Sequence, residues 1–156
     1  MKLNLGCGSK IMEGYRNFDL YPVNDMVEFL DLNKLPLPFA DNSIDEIVLC
    51  HVLEHLSCNP FNFISECRRI LKPGGVLNVT LPGYSYRLEH ERGFHTSGYL
   101  DCLYEPVSKD NVYLKQFSFI LVRKKRFSNP FFLVRKFVEF LHALGTHEYS
   151  WVLRKE

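Results

Sequence analysis

Along the chain, apolar positions fall first in short runs and only later at helical spacing. Lys2 to Gly6 (KLNLG) is an apolar run ending in glycine, the pattern of a buried strand entering a glycine turn. Tyr15 to Leu20 (YRNFDL) and Met26 to Leu30 (MVEFL) are two further short strand candidates, each closing on an aspartate, Asp19 and Asp31. LPLPFADNS (35–43) carries two prolines among turn residues and reads as loop, and IDEIVLC (44–50) as a fourth strand. The period then changes. Phe63, Ile64, Cys67, Ile70 and Leu71 recur at helical spacing, with Asn59 placed as cap, Pro60 in the first turn, and LKPGG (71–75) as the stop. VLNVTL (76–81) makes a fifth strand.

Strand, helix and strand in that order predict a parallel sheet with helices on its faces. The fold class expected is therefore α/β, doubly wound and mostly parallel, with seven strands. Beyond Pro82 the pattern predicts a helix capped by Thr96 or Ser97 and running to Glu105, a long strand over Val112 to Arg123, and a last strand over Tyr149 to Arg154. Phe131 to Leu144 is a helix with a narrow polar stripe (Arg135, Lys136, Glu139, His142) and apolar residues elsewhere, so it needs cover on most sides. Core packing and a homodimer through 131–144 are the two ways to supply that cover. No repeat, low-complexity stretch or linker divides the chain, so a single domain over 1–156 is expected.

Composition narrows the class. With 46% hydrophobic and 24% charged residues the chain has the balance of a globular domain that folds by itself. Lysine plus arginine number 19 against 18 acids, a formal charge of +1 that creates no overall field for nucleic acid or anionic lipid, so no nucleic-acid partner is expected. The run Arg123-Lys124-Lys125-Arg126 reads first as a solvated turn at a strand end. Five cysteines without a C-x-x-C pair suit reduced thiols and a cytoplasmic protein, and Cys7 and Cys50 are assigned no chemistry. No run approaches about 18 apolar residues, and the N-terminal one is too short for a signal peptide, so no membrane span is expected.

Chemistry enters at the strand ends. Gly6-Cys7-Gly8 after the first strand lets backbone approach a ligand closely. The third glycine of a dinucleotide fingerprint would fall on Ile11, and G-x-x-x-x-G-K-[ST] is absent, which argues against nicotinamide and nucleoside-triphosphate sites. The glycine turn, Asp19, Asp31 and His51 each follow a strand. In a parallel sheet such positions converge on one crevice outside the carboxyl ends.

Four segments, LNLGCGSK (3–10), FDL (18–20), FLDLNKLPLPFADNSIDEIVLCHVLEHL (29–56) and ECRRILKPGGVLNVTLP (66–82), give the chain its resemblance to the class I methyltransferases, in particular the small-molecule methyltransferases of the ubiquinone-biosynthesis-like, methyltransferase type 11 group. The resemblance covers residues 3–82. It implies a Rossmann-like fold with 1–82 as the cofactor-binding half and 83–156 as the acceptor-binding half with the C-terminal strands. It implies S-adenosyl-L-methionine as cofactor and S-adenosyl-L-homocysteine as product. Gly6 and Gly8, with the Cys7 backbone, would approach the methionine part. Asp19, with Leu20 beside it, would accept from both ribose hydroxyls. Asp31 would accept from the adenine amino group, Leu32 and Asn33 would contact adenine through backbone, and His51 would line the methionine end. Three departures stand out: Asn4 replaces a common acid, Lys10 replaces a glycine, and only ten residues separate Gly8 from Asp19, so the first helix is expected to be truncated.

The reaction so implied is methyl transfer to a small molecule or saccharide, chosen by residues after strand five (Tyr84, Tyr86, Arg87, His90, His95). A sulfonium leaving group needs alignment of the acceptor and exclusion of water more than a base. If a base is required, His55, His90 and His95 are the candidates. Two other readings are weighed: a module that binds S-adenosylmethionine without turnover, and a zinc hydrolase from His51-Val52-Leu53-Glu54-His55 (H-x-x-E-H), which needs both histidines on a helix and a third ligand. The expectation is no metal.

Overall fold

The computed structural model describes residues 1–82, 119–127 and 148–155. Its sheet has the strands β1 (Lys2–Leu5), β2 (Arg16–Asp19), β3 (Val27–Phe29), β4 (Ile44–Cys50), β5 (Leu71–Pro82), β6 (Phe119–Phe127) and β7 (Glu148–Lys155), with one helix, α1 (Pro60–Ile70), among the described residues. The strand order is β3-β2-β1-β4-β5-β7-β6. β1 to β5 are mutually parallel and β7 runs antiparallel to both β5 and β6. The chain reverses strand order at β1/β4, the switch point where open α/β sheets bind ligands.

Strand alternation builds the core. Leu3 and Leu5 register with Ile47 and Leu49, which register with Leu77 and Val79, giving one continuous apolar face whose side chains are almost wholly buried. Phe63, Ile64, Cys67 and Ile70 of α1 join the same core. Each large side chain buried this way contributes about 1.5–3 kcal/mol. The Asn59 side chain caps α1 by accepting from Phe61 N–H at 2.9 Å and Asn62 N–H at 3.4 Å, and Arg68 and Arg69 sit in the last turn, where the helix dipole favours cations.

α1 stops at Leu71 as expected, but β5 starts there rather than at Val76. Leu71 already begins β5, pairing with Ile44, and the next registered pair is Glu46 with Val76. Lys72 to Gly75 therefore bulge out of the ladder. The reason is local: Leu71 stays fully buried, Pro73 has no N–H to donate, and Gly74 takes φ 79°.

The expected truncated first helix is present as a helix-free loop over residues 6–15. Two asparagines hold it. Asn17 Oδ1 accepts from Met12 N–H at 2.9 Å and from Asn4 Nδ2 at 2.8 Å, and Asn17 Nδ2 donates to the Met12 and Tyr15 carbonyls. Asn4 Nδ2 also donates to Lys10 O at 2.8 Å. A carboxylate at position 4 has no proton to give either acceptor, so the departure at Asn4 and the short loop are one adaptation.

The run Arg123 to Arg126 is not a turn. It lies within β6, registered with Val152 to Tyr149 on the edge of the sheet. Because β7 is antiparallel to both neighbours, β6 points the same way as β5, and Pro82 and Phe127 both register with Glu148. The basic run thus rises to the rim where the parallel strands end. The expected helices over 96–105 and 131–144, the start of the strand at 112–118, and the 131–144 dimer face lie outside the described residues. Among the described residues, no helix is long and apolar enough to cross a membrane.

Candidate functional site

The glycine turn is shaped by contact with the segment after β4. Gly6 has φ 65°, and a Cβ there would stand 2.7 Å from Val52 Cγ2, so any side chain would push β1 and the 51–53 segment apart. Gly8, at φ 52°, has nothing among the described residues within 4 Å of the same position. The turn therefore closes on protein at Gly6 and opens a cradle at Gly8. Cys7 N–H donates to Phe18 O at 3.0 Å, tying the turn to β2. Burial, followed by the charge of Asp19, pushes the Cys7 thiol up, which suits a packing role.

Asp19 faces this cradle. Its Oδ2 accepts from Gly8 N–H at 2.8 Å and its Oδ1 from Tyr21 N–H at 3.0 Å. An ionised carboxylate offers roughly four lone-pair sites, so two fixed backbone donors orient it and leave capacity for two more. Leu20 and Tyr21 beside it are exposed.

Asp19 O accepts from Leu30 N–H at 3.0 Å, which carries the site into the loop after β3. Asp31 Oδ1 accepts from Asn33 N–H at 3.0 Å, and Lys34 Nζ stands 3.5 Å from Asp31 Oδ2. The Leu32 side chain is in the core, so backbone is what it presents outward. Asn33 Oδ1 accepts from Ser57 N–H at 2.7 Å and Cys58 N–H at 3.1 Å, joining this loop to the one after β4.

His51 follows β4 with φ 56°, a conformation a non-glycine residue adopts at a cost of about 1–2 kcal/mol. Its N–H donates to Thr80 O at 2.9 Å, fixing it against β5, and Lys10 Nζ reaches Cys50 Sγ at 3.9 Å from the loop opposite. Gly6, Cys7, Gly8, Asp19 and His51 are thus brought around one crevice, with Asp31, Leu32 and Asn33 attached through β3.

Other candidates fall elsewhere. His55 is exposed on the one-turn 3-10 segment Leu53–His55, and His90, His95, Tyr84, Tyr86 and Arg87 lie outside the described residues. The helix that a zinc-hydrolase reading needs beneath His51 and His55 is replaced by that single turn with His51 left-handed before it. Among the described residues no three metal-binding side chains cluster.

Sequence reasoning misses three participants. Asn17 and Asn4 hold the shortened loop, and the Asn4 departure is their signal. Glu54 stands out in the sequence only as part of H-x-x-E-H, yet its side chain is 5% exposed, 3.3 Å from His51 Nδ1.

Residues 13–79 match the model of a methyltransferase domain family. Over 83 residues the chain is 43% identical to ribosomal RNA-processing protein 8 of Caenorhabditis briggsae, covering 49% of this chain and 24% of that protein. It is 48% identical over 52 residues to a probable S-adenosylmethionine-dependent methyltransferase of Mycolicibacterium smegmatis, covering 33% of this chain and 19% of that one. The chain spans about a quarter or less of the length of these curated relatives. In fold it is similar to the S-adenosylmethionine-dependent methyltransferase of Mesorhizobium loti, with TM-score 0.61 at 15% identity over 99% of this chain and 90% of that one. The match to a ribosomal RNA-processing protein overturns the expected small-molecule acceptor and the expected lack of a nucleic-acid partner. A net charge of +1 excludes an overall field but not a local one, and β6 carries a local one.

Proposed function

This chain belongs to the class I S-adenosylmethionine-dependent methyltransferases, and from that premise we propose that it transfers a methyl group from S-adenosylmethionine to an RNA acceptor. The observation that carries the reading is the Gly8 cradle facing an Asp19 carboxylate already oriented by two backbone donors. In this reading the Gly6, Cys7 and Gly8 backbone receives the methionine end, with His51 beside it. Asp19 accepts from the ribose hydroxyls next to Leu20, and Asp31, with the backbone of Leu32 and Asn33, reads adenine. When bound, the cofactor supplies an activated methyl on a sulfonium. The chain's own work is to hold the acceptor in line and keep water out, with His55, His90 or His95 taking a proton where the acceptor needs to lose one.

RNA is favoured by the relative named for ribosomal RNA processing and by the basic run of β6, whose carboxyl end lies at the same end of the sheet as those of β1 to β5. One domain over 1–156, with its cofactor half in 1–82, accommodates both functions. The free thiols of Cys7, Cys50, Cys58 and Cys67 support a reducing compartment such as the cytoplasm.

Calorimetric titration with S-adenosylmethionine and S-adenosylhomocysteine tests the cofactor site: micromolar binding is expected for wild type and its loss for Asp19→Ala. Methyl-labelled cofactor, incubated with protein and total RNA, tests the reaction. Label in nuclease-sensitive material supports it, and binding without labelled RNA reduces the chain to a cofactor-binding module.

A further inference from the structure

Among the described residues, Glu54 is the buried acid of the site that the proposed function leaves without work. Both of its carboxylate oxygens are shielded from solvent and accept no hydrogen bond among those residues. A carboxylate in that position is unfavourable unless a cation or a donor meets it. Among the described residues, the group within ion-pair distance is the His51 imidazole, with Nδ1 3.3 Å from Glu54 Oε1. The contact is longer than a formed hydrogen bond.

The backbone around the pair is built to hold it. His51 is fixed by its N–H on Thr80 O and kept at φ 56°, while Val52 is wedged against Gly6. Leu53, fully buried, starts the 3-10 turn that brings Glu54 back beneath His51. An extended path after β4 would separate the two side chains. Backbone strain spent at the end of a strand, beside a buried acid with no other described partner, is the signature of a site rather than of packing.

We propose that Glu54 is a positioning residue for His51: by accepting from Nδ1–H it fixes the ring's orientation and tautomer, leaving Nε2 as the nitrogen through which His51 acts at the methionine end of the cofactor. The inference rests on the cofactor reading above and goes beyond it, in assigning Glu54 a role and His51 a defined protonation pattern. A carboxylate accepts from Nδ1–H whether the imidazole is neutral or charged.

Long-range proton–nitrogen correlation spectra of the full chain read the tautomer directly, with the His51 signals assigned by their loss in His51→Ala. A protonated Nδ1 is expected in wild type and its loss in Glu54→Met, which keeps the length of the side chain and removes both acceptor oxygens. Affinity for S-adenosylhomocysteine is expected to fall about tenfold in Glu54→Met and in His51→Ala, and no further in the double variant, because both changes remove one unit. Proton on Nε2 alone in wild type overturns the proposal even if Glu54→Met does not fold, and so do additive losses in the double variant. If wild type does not bind S-adenosylhomocysteine, the cofactor reading fails, and with it the affinity arm, whereas the tautomer still decides whether Glu54 orients His51.

Discussion

At the scale of single residues, the two glycines of the turn do different work. Gly6 is glycine because Val52 fills the space a side chain would need, and because φ is positive. Gly6→Ala is expected to destabilise the protein by about 2–4 kcal/mol, combining overpacking with left-handed strain. Gly8 has the same backbone need but open space in front of it, so Gly8→Ala is expected to cost only about 1–2 kcal/mol while lowering S-adenosylhomocysteine affinity at least as far as Gly6→Ala does. Thermal unfolding and calorimetry on the two variants separate the effects. Equal losses of stability would refute the assignment of packing to one glycine and ligand approach to the other.

At the scale of elements, α1 does more than cover the sheet. Glu66 Oε1 accepts from Leu37 N–H at 2.7 Å, and Arg69 donates to Glu66, to the Leu37 and Phe39 carbonyls, and to Asp41. The helix thereby pins the loop leading from Asp31 and Asn33 into β4. The Arg69 guanidinium, with help from Leu37 N–H, holds the Glu66 carboxyl below its ordinary value of 4.5. A carboxyl depressed in the folded state contributes stability above its unfolded value and loses it as pH falls through the folded one. Glu66→Gln is therefore expected to lose about 1.5–3 kcal/mol at pH 7, the range for hydrogen bonds to charged groups, with the gap to wild type shrinking below about pH 4.5. Urea unfolding at pH 7 and pH 3 checks it. A gap independent of pH would mean that shape, not charge, holds the loop.

At the scale of the whole molecule, the reversed β7 decides where charge ends up. Because β7 runs against both neighbours, β6 is parallel to the cofactor-binding strands and carries Arg123 to Arg126 along the sheet edge to the rim. A charged edge also discourages strand-to-strand aggregation, so the placement has a purely structural use that must be tested against. Replacing Arg123, Lys124, Lys125 and Arg126 by glutamine is expected to flatten the dependence of log RNA affinity on log salt by about 0.7 for each phosphate no longer neutralised, up to roughly 3, with S-adenosylhomocysteine affinity unchanged. An unchanged slope alongside increased aggregation would assign the run to edge protection alone.

Local pattern was enough for the first half of the chain. Alternating apolar runs located β1 to β4 within a residue or two, helical spacing with Asn59 and Pro60 located α1, and the glycine turn and Asp19 fell at strand ends, because each of these signals is carried by neighbours in sequence. What local pattern missed depends on distant partners. Leu71, where α1 stops, also begins a strand because Ile44 is there to pair with it. Arg123 to Arg126 form an edge strand rather than a turn because Val152 to Tyr149 lie alongside. Glu54 becomes a buried partner of His51 only because β4 is followed by a left-handed residue and the chain doubles back. By itself the sequence determined the element order, the glycine turn and Asp19 at a strand end, since periodicity and turn chemistry are local. The tertiary structure alone decided the strand order, the charged rim and the His51–Glu54 pair, since those arise from contacts between residues that the chain brings together only on folding.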